Sequence, residues 1–147
     1  MTVALRKKVL NFLNEYGPKV CVLATVSPEG APHCAVMGYA LGDDYPLILN
    51  THRQTRKWRH LTKHGSVALT VGFDYFSLYL QLEGTARLVE QGPEHRRYEE
   101  IYFREHPDAL EYRGIPETGT ILIEPKWARL YDLSAKPSRF EEGSTAK

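Results

Sequence analysis

Apolar residues recur at Leu5, Val9, Phe12, Leu13 and Tyr16, a helical spacing that follows a candidate cap at Thr2 and stops at Gly17-Pro18. The period then changes to two. Val20 to Val26 predicts a strand, Ser27-Pro28-Glu29-Gly30 a turn with proline at its second position, and Pro32 to Leu41 a returning strand, so the three make a hairpin. A turn at Gly42-Asp43-Asp44 leads to a third strand over Leu47 to Thr51. Thr55 to Lys63 reads as a short helix, with Trp58 and Leu61 on one side and Arg56, Lys57, Arg59, His60 and Lys63 around the rest, closed by Gly65. Val67 to Val71 and Leu78 to Val89 predict two further strands, the longer with a bulge or close approach at Gly84. Gly92-Pro93 opens a helix over Glu94 to Glu105, and His106 to Thr118 reads as a loop. Thr120 to Leu133 is the last strand, broken or edged at Pro125, and Ser134 to Lys147 is polar enough for a loose tail.

Six strands joined by short hairpins exclude a doubly wound parallel sheet, because parallel neighbours need long crossovers. The pattern predicts a mainly β domain with flanking helices: a six-stranded antiparallel barrel, closed or split, over residues 1–133, followed by a polar tail over 134–147. No repeat or low-complexity segment interrupts it. With 147 residues, 42% of them hydrophobic and 25% charged, the chain suits one core that folds without a disulfide or metal. A net charge of +1 argues against a dedicated nucleic-acid binder. The longest apolar run, Val20 to Ala24, falls far short of the roughly 18 residues of a membrane span, and Met1 to Tyr16 lacks the apolar centre of a signal peptide, so a cytoplasmic location is expected. Cys21 and Cys34, without CxxC spacing, are expected as free, buried thiols.

Chemistry concentrates in Asn50-Thr51-His52-Arg53-Gln54-Thr55-Arg56-Lys57-Trp58-Arg59-His60, where a strand ends, a polar loop turns and a basic helix begins. Free N–H groups at a helix start, the Thr51 or Thr55 hydroxyl, and Arg56 with Lys57 could hold a phosphate dianion. Cations in a first helical turn oppose the macrodipole by some tenths of a kcal/mol unless an anion offsets them. The plainer reading is a solvated basic face, and spacing alone does not choose between the two. His60 and His64 have a chelating spacing, but basic neighbours and the lack of an acidic or cysteine ligand nearby argue against a metal. The carboxylate pairs Asp43-Asp44, Glu99-Glu100 and Glu141-Glu142 read as solvated charge, and Phe73, Tyr75, Phe76 and Tyr79 as aromatic packing at an interface. No acid–base or nucleophilic constellation identifies a catalytic residue.

Three ordered motifs decide the reading. Ala24-Thr25-Val26 through Gly30-Ala31-Pro32, then Leu49-Asn50-Thr51 with Thr55-Arg56-Lys57, then Glu83-Gly84-Thr85-Ala86-Arg87-Leu88 resemble the pyridoxamine 5′-phosphate oxidase-like FMN-binding split-barrel family, over roughly Val20 to Leu133. The resemblance implies a homodimer with FMN at the subunit interface. It places the cofactor phosphate on Arg56 and Lys57, with Asn50, Thr51 and Thr55 around it. It runs the backbone of Cys34, Ala35, Val36 and Met37 along the isoalloxazine and ribityl chain. From across the interface it brings Tyr79 or Gln81, and Tyr131 or Trp127. The departures matter too. Ala35 and Ala40 stand where the oxidase has a phosphate-binding arginine and a substrate-binding lysine, while His106 and Leu110 replace an arginine and a serine beside a retained Tyr102. The oxidase's C-terminal Arg and His signature has no counterpart in Leu133 to Lys147. His33 or Arg53 could compensate for Ala35. The expectation is therefore an FMN-dependent oxidoreductase acting on a small planar redox substrate, inefficient towards pyridoxamine 5′-phosphate. A non-catalytic flavin or electron-transfer module, a member using the deazaflavin F420, and a haem-binding member with His33, His52 or His106 as ligand remain as alternatives.

Overall fold

A run of apolar positions at helical spacing gives way to eight strands that share one antiparallel sheet in the computed structural model, which describes residues 3–43, 46–73 and 77–145. Helix α1 spans Val3–Glu15, and the strands are β1 Val20–Val26, β2 Pro32–Gly38, β3 Ala40–Leu41, β4 Leu47–His52, β5 Ser66–Val71, β6 Leu78–Val89, β7 Thr118–Asp132 and β8 Arg139–Ser144. Helix α2, Arg56–Lys63, follows β4; α3, Pro93–Glu105, and a 3₁₀ segment, Pro107–Tyr112, fill the connection from β6 to β7. The order across the sheet is β2-β1-β5-β6-β7-β4-β3, with β8 also on β7. The sheet curls into a half-barrel, the split antiparallel barrel that the pattern predicts.

Alternation decides which face is core. Leu23, Leu69, Leu80 and Leu82 point inward with Leu47, Leu49, Ile121 and Ile123, and Leu5, Val9 and Leu13 of α1 close over them. Each of those three helix residues is buried, and full burial of such a side chain stabilises by roughly 1.5 to 3 kcal/mol. A second cluster forms outside the barrel, where Tyr102 and Phe103 of α3 cover Ala40, Ile48, Val89 and Leu122. At Gly84 the register of β6 against β7 shifts, and a Cβ there would collide with the Glu124 carbonyl, so the expected bulge is also a close approach.

The strand count exceeds the six expected because two segments were read differently. Pro32 to Leu41 is not one strand. The Tyr39 N–H donates to the Lys19 carbonyl and its buried phenol donates to the Leu13 carbonyl at 2.8 Å, so the chain turns there: β2 pairs with β1, and β3 pairs with β4. Nor is the polar C-terminus loose. Arg139–Ser144 pairs with the second half of β7, where Arg129 forks onto Glu142 at 2.9 and 3.1 Å and Phe140 stacks on Tyr131. Its polarity is that of an exposed edge strand. The expected loop at His106 to Thr118 holds the 3₁₀ segment. Cys21 is buried, and burial pushes its thiol up to about 12, but Cys34 is exposed because its strand position faces away from the barrel interior. Thr2, Asp44, Tyr75 and Phe76 lie outside the described residues. Among the described residues no helix is long and apolar enough to cross a membrane.

Candidate functional site

Strand β4 delivers Asn50 and Thr51 to one rim of the barrel, and the turn that follows sets the start of α2. Thr55 caps that helix, its Oγ1 accepting from the Trp58 N–H at 3.4 Å and donating to the His52 carbonyl at 2.9 Å. Trp58 is buried with its ring over Gly119, where no Cβ could fit, and Arg53 ties the turn to the chain before β7 through the Pro116 and Glu117 carbonyls. The helix is thus pinned from both sides. Its first turn carries Arg56, exposed, and Lys57, half-buried, with no acidic residue beside them. Among the described residues neither side chain pairs with a carboxylate, and neither backbone N–H has an acceptor. Burial holds the Lys57 ammonium below its ordinary range. Two cations at the positive end of a helix, one of them partly desolvated, form an electrostatic deficit that an anion would relieve.

From β2, His33 joins this corner. It sits opposite Thr25 in the β1–β2 register, and its ring meets the His60 ring edge-on at 5.7 Å. Burial first, then the charges of Arg56, His60 and Lys57, hold its pKa below the ordinary histidine value. His60 is buried, with Nδ1 3.0 Å from the Thr25 hydroxyl. Among the described residues no cluster of three or more metal-ligating side chains occurs.

Beside the corner a cavity of about 310 Å³ opens between β2, β4 and α3. Val36, Met37, Asn50, Thr51 and Thr55, all candidates from the sequence, line it, and Arg56 and Lys57 follow Thr55 directly. Cys34 and Ala35 lie further along β2 and do not line it. Asn50 Nδ2 is buried with no acceptor among the described residues. The far wall adds Phe103, Tyr112 and Thr118, which the sequence did not single out, to Tyr102, whose hydroxyl lies where a Cβ on Gly38 would stand. Tyr102 stacks on His106, whose Nε2 donates to the Tyr39 carbonyl at 2.7 Å, and burial raises the Tyr102 phenol. Behind this wall His95 is fully buried, its Nδ1 2.8 Å from the Thr120 hydroxyl and its Nε2 3.6 Å from Glu99, whose other contact is the Gly114 N–H. Burial keeps His95 below its ordinary pKa against the pull of Glu99. This pair ties the segment carrying Tyr112 and Thr118 to α3.

Tyr79, Gln81, Trp127 and Tyr131 stand elsewhere in the single chain. Pairing across β6 and β7 places them with Arg129 on the outer face of the sheet, Tyr79 stacked on Tyr131 at 5.2 Å. Continued across β5 and β1, the register puts Ala68, Ala24, Cys34 and Val36 on that same face. A larger groove of about 730 Å³ lies between α1 and β8, but its lining holds none of the expected site residues.

The sequence pattern of the pyridoxamine 5′-phosphate oxidase family matches residues 5–132. No curated protein matches the chain. Among solved structures, the general stress protein 26 of Bacillus anthracis is 21% identical with a TM-score of 0.72, covering 96% of this chain and 100% of its own. A pyridoxamine 5′-phosphate oxidase-related, FMN-binding protein of Nostoc punctiforme is 13% identical with a TM-score of 0.69, over 99% of this chain and 98% of its own. A haem-binding protein of Mycobacterium smegmatis is 17% identical with a TM-score of 0.71, over 86% of this chain and 52% of its own. These are likenesses of fold. The match over residues 5–132 takes in the curled sheet, the cationic corner and the cavity together, and by it the chain belongs to the pyridoxamine 5′-phosphate oxidase family.

Proposed function

We propose that this chain is an FMN-binding oxidoreductase that works as a homodimer. The observation that carries the reading is the cationic corner of Arg56 and Lys57, unpaired among the described residues, opening onto a cavity that already holds an unmatched Asn50 amide. The cofactor phosphate would take the free N–H groups and side chains of Arg56 and Lys57 with the hydroxyls of Thr51 and Thr55. The ring and ribityl chain would run along Cys34, Ala35, Val36 and Met37. When bound, FMN supplies the redox chemistry; the chain's own residues bind, orient and shield it.

A cavity of about 310 Å³ is at the small end for a ligand pocket, so one subunit covers the cofactor only in part. The outer sheet face, with Tyr79, Gln81, Trp127 and Tyr131, supports a second copy as the remaining cover. Ala40 is fully buried beneath α3, which supports weak recognition of a phosphorylated substrate there and hence a small planar redox substrate other than pyridoxamine 5′-phosphate. Free thiols at buried Cys21 and exposed Cys34 fit a reducing, cytoplasmic setting. F420 could present a phosphate to the same corner. Haem is less well served, since His106 spends Nε2 on the Tyr39 carbonyl. The test is titration of purified protein with FMN, with mass spectrometry of any ligand released on denaturation. Replacing Arg56 and Lys57 together by alanine is expected to weaken FMN by roughly 2 to 4 kcal/mol, the loss of two charge-assisted contacts. Unchanged affinity, or release of F420 or haem from the native protein, would overturn the assignment.

A further inference from the structure

The corner described above contains one more group whose ring nitrogens make no hydrogen bond among the described residues, and that group, an imidazole, can take up a proton. We infer that His33 is a third ligand of the cofactor phosphate, engaging it as an imidazolium, so that cofactor binding takes up a proton and tightens as the pH falls. The inference rests on the flavin reading for the identity of the anion, but not for the existence of the site.

The geometry follows from two registers. In the β1–β2 hairpin His33 pairs with Thr25, whose buried hydroxyl holds His60 Nδ1 at 3.0 Å. His60 lies three and four residues beyond Lys57 and Arg56, so all three share one flank of α2. The edge-on contact of His33 with His60 therefore sets the β2 imidazole against the flank that carries both cations. His60 is committed to Thr25. Among the described residues the ring nitrogens of His33 make no hydrogen bond, and no carboxylate pairs with Arg56, Lys57 or His33.

Among the described residues, the charged and titratable groups that face His33 are Arg56, Lys57 and His60 from α2; β1 contributes only the neutral Thr25. Without a ligand, burial and these cations favour the neutral ring. A dianion placed among them reverses the balance, because it attracts the imidazolium and screens the cations that opposed it. The ligand-bound pKa then stands above the free one, and linkage requires proton uptake on binding and higher affinity on the acid side of that bound value. A phosphate monoester takes its own second proton near pH 6, so the effect is read between roughly pH 6 and 8.

The test follows the His33 ring resonances by NMR across pH, assigned by their loss in His33→Gln, with no ligand, with FMN and with inorganic phosphate. It is paired with FMN and riboflavin titrations of both proteins. We expect FMN to raise the His33 pKa. We expect His33→Gln to weaken FMN about tenfold at pH 6.5 and less at pH 8, and to leave riboflavin, which lacks the phosphate, unchanged. A His33 pKa that neither FMN nor inorganic phosphate moves would overturn the inference even if FMN binds. Equal loss of riboflavin would also overturn it, by showing that the ring acts through the fold. Inorganic phosphate raising the pKa in a protein that does not bind FMN would uphold His33 as an anion ligand and refute the flavin reading instead.

Discussion

Asn50 carries a buried amide nitrogen with no acceptor among the described residues, and it lines the cavity beside the cationic corner. A buried donor left unsatisfied costs roughly 1 to 3 kcal/mol, so this side chain destabilises the ligand-free chain. Asn50→Ala is therefore expected to leave the thermal unfolding midpoint of the ligand-free protein unchanged or higher, while FMN affinity falls roughly three- to tenfold. Calorimetry of both proteins with and without FMN would show this; a variant that loses stability and keeps affinity would refute it. At this scale the sequence exposes only what is local. Thr55, Arg56 and Lys57 are neighbours along the chain, and their conflict with the helix dipole is visible without a structure. Thr25, His33 and His60 meet through a hairpin register and a helix packed against it. Counting outward from the turn at Ser27-Pro28-Glu29-Gly30 reaches the first pair, but nothing local announces the third.

Among the elements, α2 owes its place to Trp58 lying over Gly119 of β7. Gly119→Ala would force the indole aside, and such overpacking costs roughly 1 to 3 kcal/mol. Because the indole and the turn proposed to bind the phosphate belong to one helix, urea unfolding should show the lost stability and FMN titration a weakened site in the same variant. Retained FMN affinity would mean that α2 does not need that seat. The boundaries of α1, α2 and α3 were legible from periodicity and punctuation, as was the bulge at Gly84. The turn at Tyr39 was not, because a buried tyrosine that bonds the Leu13 and Lys19 carbonyls has the same apolar character as its strand neighbours. Strand β8 was missed for the opposite reason: Arg139, Glu141 and Glu142 read as solvent, and only the presence of Arg129 and Tyr131 opposite makes them a strand. The wall formed by Tyr102, Phe103 and Tyr112 depends on how α3 docks, which no local pattern specifies.

For the molecule as a whole, the sheet has one face turned inward to α1 and another that α3 covers only at Ala40, Ile48, Val89 and Leu122, leaving the rest open. Ala24, Ala68, Val36, Trp127 and Tyr131 share that open face, and Val36 is 71% exposed. Ala68 is an exposed position near its middle, so Ala68→Arg should fold as a single chain while preventing a second copy from seating. Light scattering is expected to report monomers for the variant and dimers for the parent, with FMN bound more weakly by the monomer. A dimeric variant would place the interface elsewhere.

Strand β7 changes its outer neighbour along its length: β4 accompanies Thr118 to Ile123, β8 accompanies Trp127 to Asp132, and Pro125, which has no N–H to offer, sits at the change. One end of that single ribbon borders the cavity at Thr118, and the other displays Trp127 and Tyr131 to whatever docks outside. If a second copy docks on the open face as proposed, a continuous backbone would join that contact to the rim proposed to hold the cofactor, and pairing of subunits and retention of the prosthetic group would become a single mechanical event.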